Sequence, residues 1–130
     1  MIQLWEVQQA IYSSLSLDST FMSMITGLMD RPAQNQAVPY VTIGPATAVA
    51  SDTLNETGSS ETLQLDFWDR DAPVSRVKQI MGRAITVLHR TNPPINGTVA
   101  VACNAEYAEV ILEEDTMHGV LRVRVETFTS

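Results

Sequence analysis

Hydrophobic and polar positions alternate along Thr62–Trp68, where Leu63, Leu65 and Phe67 are separated by Gln64 and Asp66. A period of two over this length predicts a strand with one dry face. Asp69-Arg70-Asp71-Ala72-Pro73 breaks the alternation and predicts a turn, with an aspartate as N-cap and the proline in the first helical turn. From Val74 to Leu88 the period becomes helical: Val77, Ile80, Met81, Ala84 and Leu88 share one side, and Arg76, Lys78, Gln79 and Arg83 lie off it. The strand and the helix are expected to pack face to face.

Elsewhere the same periodicities recur. Leu4, Val7, Ile11 and Leu15 mark an amphipathic helix between Ile2 and Leu17, and Asp18 suits the cap of a second, shorter helix through Phe21, Met22 and Ile25. Gly27 is read as the stop of that helix. Arg31 to Ala37 is polar and reads as a loop. Val38-Pro39-Tyr40-Val41-Thr42-Ile43 predicts a strand that begins near Pro39 and is closed by Gly44-Pro45. Ala46 to Ser60 has Val49 and Leu54 as its only large apolar residues and reads as the least structured stretch: a mobile loop, a hairpin arm, or a segment ordered by a partner.

Thr91 to Gly97 is a turn by composition. Thr98 to Cys103 predicts a flat strand whose two faces, valine and alanine, are hard to tell apart. Glu106 to Leu112 predicts another strand, or its continuation after a bulge. Glu113 to Met117 reads as a turn, and Gly119 to Thr127 as a final strand with Leu121, Val123 and Val125 dry and Arg122, Arg124 and Glu126 wet. Helices first, then strands, a helix and more strands define one α+β domain over residues 1–130, its mainly antiparallel mixed sheet packed by the N-terminal and central helices.

The chain's 130 residues suit one hydrophobic core. Fifteen acidic against eight basic side chains leave a formal charge of −7, which argues against a sequence-independent DNA binder. It is compatible with a surface that lets DNA pass without holding it. One cysteine, Cys103, allows no intramolecular disulfide. The N-terminal stretch lacks the pattern of a secretory signal, and no apolar run approaches the ~20 residues that cross a bilayer. No membrane partner is expected, and the sequons at Asn55 and Asn96 read as chance.

Candidate chemistry is sparse. His89 and His118 lack the spacing of a metal site, and Glu113-Glu114-Asp115 lacks that of a calcium loop. Asp66, Asp69 and Asp71 cluster around Trp68, where carboxylates could serve acid–base work, but turn and cap roles explain Asp69 and Asp71 more simply. No nucleophile elbow or phosphate loop is present, and Cys103 reads as a buried strand residue. No enzyme, cofactor or metal is expected. Trp68, beside Arg70, is the most suggestive binding residue, with half-burial as its simpler explanation.

Taken in order, Leu4–Asp18, Val38-Pro39-Tyr40-Val41-Thr42-Ile43-Gly44, Thr62–Arg70, Val77–His89 and Asp115–Val125 resemble the tail-terminator, or tail-completion, proteins of long-tailed bacteriophages and gene transfer agents. The resemblance spans nearly the whole chain and is loosest between Ile95 and Glu114. It implies a structural, non-enzymatic α+β protomer that forms a ring, commonly hexameric, on the finished tail tube. Such a ring would end tube polymerisation and face neck or head-completion proteins, with DNA passing through its lumen. A neck connector or head-closure protein is the alternative, and a small enzyme or ligand-binding domain using His118, Cys103 or the Asp66–Asp71 cluster is a third. Trp68, Arg70, Val49 and Leu54 are the expected assembly contacts.

Overall fold

The structure, a computed structural model, describes residues 2–52, 57–95 and 100–129. It holds α1 (Leu4–Ser16), α2 (Ser19–Ser23), β1 (Leu28–Met29), β2 (Tyr40–Ala50), β3 (Thr57–Arg70), α3 (Val74–Leu88), β4 (Ala100–Glu113) and β5 (Thr116–Thr129). The strands form one sheet in the order β1-β2-β3-β5-β4, parallel between β1 and β2 and antiparallel elsewhere. This is the α+β, mainly antiparallel mixed sheet that the periodicities predict.

Both predicted stripes are buried except at Leu4, which begins α1 and is 48% exposed. Val7, Ile11 and Leu15 of α1 and Val77, Ile80, Met81, Ala84 and Leu88 of α3 pack against Leu63, Leu65 and Phe67 of β3 and Leu121, Val123 and Val125 of β5. The helices thus cover one face of the sheet only. Close approach is needed at Gly119, opposite Phe67: a Cβ there would come within 2.5 Å of Met81 Sδ and 3.1 Å of Phe67 Cβ. Asp18 caps α2 by accepting from the Phe21 N–H at 2.9 Å, as its sequence position suggests. It also accepts two bonds from Arg83, at 2.8 and 2.7 Å, which tie α2 to α3. These bonds, Arg83 foremost, lower the Asp18 carboxyl to about 2.

Several expectations need correction. Asp69 is not the cap of α3; Pro73 is the N-cap residue, and it makes no side-chain cap bond. Asp69 is instead fully buried, accepts from the Arg70 N–H at 2.9 Å, and grips the Arg76 guanidinium through Nε at 2.7 Å and through Nη2. Asp71, at φ 53°, takes the turn. Gly27 does not stop α2, which ends at Ser23; Gly27 instead precedes β1, a two-residue strand too short to leave a periodic signal.

Gly44-Pro45 does not close β2. The register with β3 slips between Ile43 and Ala46, so the pair forms a bulge and the strand continues to Ala50. Ala46–Ala50 pair with Ser59–Leu63, so these parts of the stretch form the two sides of an arm, the second of its three expected readings, and Leu54 lies outside the described residues. A second bulge, between Ala105 and Tyr107, joins the two segments expected around Cys103 and Val110 into one strand, β4. Glu114, at φ 46°, and Asp115 form the two-residue connection to β5.

Besides Asp69, a second acid is fully buried, under the helices. Glu61 is 1% exposed, and its Oε1 accepts from the Gln3 N–H at the start of α1, at 2.5 Å, and from the Ser59 hydroxyl at 3.3 Å. Among the described residues its Oε2 has no hydrogen-bond partner. Ser59 and Thr127, also buried, share a hydroxyl bond at 2.7 Å beside it.

Candidate functional site

The sheet face away from the helices carries a row of interacting side chains. Strand alternation fixes its membership, because Leu63, Leu65 and Phe67 point to the core and Gln64, Asp66 and Trp68 therefore point away. Trp68 pairs across β3 and β5 with His118, and across β2 and β3 with Tyr40. Its indole stacks on His118 at 4.0 Å between centroids and 7° between planes, and on Tyr40 at 6.4 Å. The indole N–H donates to the Thr42 hydroxyl at 3.1 Å. Trp68 is therefore held on three sides and half-buried, as the simpler of its two readings has it.

The row continues through polar contacts. Asp66 Oδ1 lies 2.7 Å from His118 Nε2 and accepts from Gln64 Nε2 at 2.9 Å. Arg122 donates to Gln64 Oε1 at 3.4 Å and lies 4.8 Å over the Tyr107 ring. Tyr107 donates to Glu109 at 2.5 Å, and that acceptor raises its phenol above the ordinary value. Four strands are cross-braced by this row through stacking and side-chain hydrogen bonds. Such bracing favours a rigid surface over a reactive one.

The candidate catalytic groups do not converge. Asp66 and His118 meet, but Cys103 belongs to the helix-covered core, and burial pushes its thiol up to about 11. His89 Nδ1 accepts from the Ala105 N–H at 3.0 Å on the side of β4 away from β5. Asp69 is committed to Arg76. Among the described residues no three His, Cys, Asp or Glu side chains gather to hold a metal ion. Among the described residues no helix is long and apolar enough to cross a membrane.

The exposed apolar residues lie instead at the margins. On the arm Val49 is 66% exposed, and Leu112 near the end of β4 is 67% exposed. Arg70 is exposed at the corner leading to α3. Trp5 and Tyr12 on the outer side of α1 flank a groove of about 440 Å³ that reaches Leu28, Met29 and Ile43. The Trp68–His118–Asp66 cluster was hidden from sequence reasoning because a 50-residue separation is closed only by strand register. The one sequence signal was an aromatic residue on the wet side of an amphipathic strand.

A one-layer sheet with a braced open face, apolar margins and, among the described residues, dispersed titratable groups suits a structural assembly protomer. The sequence profile described as "Tail completion protein gp17" matches residues 9–129, and the chain belongs to that family of structural phage tail proteins. The tail completion protein gp17 of Bacillus phage SPP1 is 25% identical over 120 residues, which cover 91% of this chain and 89% of that one. Among solved structures, a chain of the virion of a native gene transfer agent particle superposes with a TM-score of 0.85 at 18% identity, over 94% of both chains. The structure of bacteriophage SPP1 gp17 superposes with a TM-score of 0.64 at 22% identity, over 99% of this chain and 95% of that one. These similarities extend the resemblance read from the sequence across nearly the whole fold.

Proposed function

We propose that the protein is a tail terminator: copies assemble into a ring, commonly of six, on the end of the tail tube, stop its polymerisation and provide the joint to the head. The observation that carries this reading is the family match over residues 9–129. The braced sheet face and dispersed titratable groups support a role without catalysis. The partners are other copies of the chain, the tail tube protein and a neck or head-completion protein, placed at the tail–neck junction of a virion assembled in the host cytoplasm. Arg70 and Val49 are exposed enough to meet a neighbour, and Trp68 holds the corner from which Arg70 projects; Leu54, expected with them, lies outside the described residues. The charge of −7 per copy would keep DNA moving through a lumen rather than adhering to it.

Electron microscopy of particles assembled without the protein tests the reading. Overlong tails are expected. Free tails of normal length beside leaky heads would instead assign a neck-connector or head-closure role, and a protein that stays monomeric and does not cap tubes would sink the ring.

A further inference from the structure

Both lateral ends of the sheet carry a stretch of strand edge with no partner among the described residues. At one end, β1 covers β2 only at Val41 and Thr42, which leaves Ala46–Ala50 of the arm open. At the other, the Arg90 and Thr91 backbone closes the edge of β4 at Cys103, and His89 closes it at Ala105. Beyond the bulge, Tyr107–Glu113 are open. Native proteins guard such edges with charge, proline or a bulge. Here Pro45 and its bulge stop short of the arm edge. Two of the three acids of β4 turn back onto the sheet, Glu106 to Arg124 at 3.1 Å and Glu109 to Tyr107 at 2.5 Å, and the third, Glu113, stands at the end of the strand.

The direction of each free backbone group follows from the ladder. Cys103 opposes Val125 and exchanges its N–H and C=O outward with Thr91 and Arg90, at 3.0 and 2.7 Å. Inward and outward pairs alternate in an antiparallel ladder, so residues of β4 opposite odd-numbered positions of β5 face outward. Past the bulge these are Ala108, Val110 and Leu112. On β2 the Val41 N–H donates outward to the Gly27 carbonyl at 3.0 Å, opposite Phe67. By the same alternation Ala46, Ala48 and Ala50 face outward, opposite Leu63, Glu61 and Ser59. Each end thus presents three outward residues at the same two-residue spacing, none of them charged. The strand order makes β2 and β4 run in opposite directions. An antiparallel ladder can therefore form when the β4 edge of one copy meets the β2 edge of another.

We infer that Tyr107–Glu113 of one copy and Ala46–Ala50 of a second copy pair head to tail and join neighbouring sheets. The inference rests on the ring reading and adds its interface. The contact is heterologous, so each copy keeps a free edge for the next, as a ring requires. With Ala48 aligned to Val110, Thr47 faces Ile111 across the junction.

Two kinds of variant test it, with sizing chromatography coupled to light scattering and non-reducing electrophoresis. Ala48→Pro and Ala108→Pro each remove one outward N–H that the protomer's own ladder does not use. Each is expected to raise the concentration for half-assembly by about tenfold or more, with the unfolding transition of the protomer retained. Thr47→Cys and Ile111→Cys proteins, mixed under oxidising conditions, are expected to give a disulfide-linked dimer that neither gives alone, while Cys103 stays buried; this arm holds even if a proline variant fails to fold. Intact oligomers in the folded proline variants, with no mixed disulfide, would overturn the edge pairing and leave the ring reading standing. Disulfide dimers of Ile111→Cys alone would overturn it in favour of a symmetric β4–β4 contact. A wild-type protein monomeric at every concentration would overturn the ring and this interface together.

Discussion

Replacing Trp68 with alanine separates a braced sheet face from a binding hot spot. The indole stacks on His118 at 4.0 Å and on Tyr40 at 6.4 Å and donates to Thr42 at 3.1 Å, so most of its surface is already used within the protomer. Losing roughly 100 Å² of buried apolar surface costs about 2.5 kcal/mol at ~25 cal/mol per Å². The stack on His118 contributes about another 0.5–1.5 kcal/mol. Trp68→Ala is therefore expected to destabilise the protomer by about 3–4 kcal/mol. With a urea slope of about 1.5–2 kcal/mol per M, the unfolding midpoint falls by about 2 M. Trp68→Phe keeps an aromatic stack, loses the bond to Thr42 and should cost only about 1 kcal/mol more than its lost area. The readout is urea unfolding followed by far-ultraviolet circular dichroism at a concentration where the variant is monomeric. A loss of assembly with a change in protomer stability below about 0.5 kcal/mol would refute the reasoning and make Trp68 a contact with another chain.

Two further substitutions probe other parts of the fold. Asp18→Asn removes a carboxyl held at about 2 against an ordinary 3.8, so the unfolded chain takes up this proton first and the stabilisation present above pH 4 is lost as pH falls toward 2. Melting temperatures measured at pH 5 and pH 2.5 should converge between wild type and Asp18→Asn at the lower pH, and a constant gap would contradict the pairing with Arg83. Gly119→Ala drives a methyl toward Met81 Sδ and Phe67 Cβ beneath α3 and should cost about 1–3 kcal/mol, seen as a melting temperature lower by roughly 4–12 °C. An unchanged transition would show that α3 rides higher over the sheet than Gly119 implies.

Helical and strand periodicity carried the two-layer core because Val77–Leu88 and Leu63–Phe67 each have one face of large apolar side chains. The arm stayed one of three readings for the opposite reason. Ala46–Ala50 and Thr57–Ser60 alternate among small and polar residues, so burial of Ser59 at 1% and the bond to Thr127 left no hydrophobic trace in the sequence. The valine–alanine ambiguity of β4 has a similar origin, since the bulge at Glu106 reverses which residues face the core within one strand. Asp69 was misread because a carboxylate near a helix start resembles a cap, whereas its partner, Arg76, lies inside that helix. Alternation places Trp68 on the wet face of β3, but only register could bring His118 and Tyr40 to the indole.

Glu61 adds little as a source of stability, because a buried carboxylate with one unanswered oxygen is costly to keep. Its value lies in address. The Gln3 amide reaches Oε1 only when α1 begins where it does, and sliding the helix by one residue would withdraw that donor and leave the acid stranded beneath it. One side chain on β3 thereby sets the phase of the N-terminal helix. That contact agrees with the apolar stripe, which turns Val7, Ile11 and Leu15 inward while Trp5 and Tyr12 are presented to whatever meets the outer wall of the protomer.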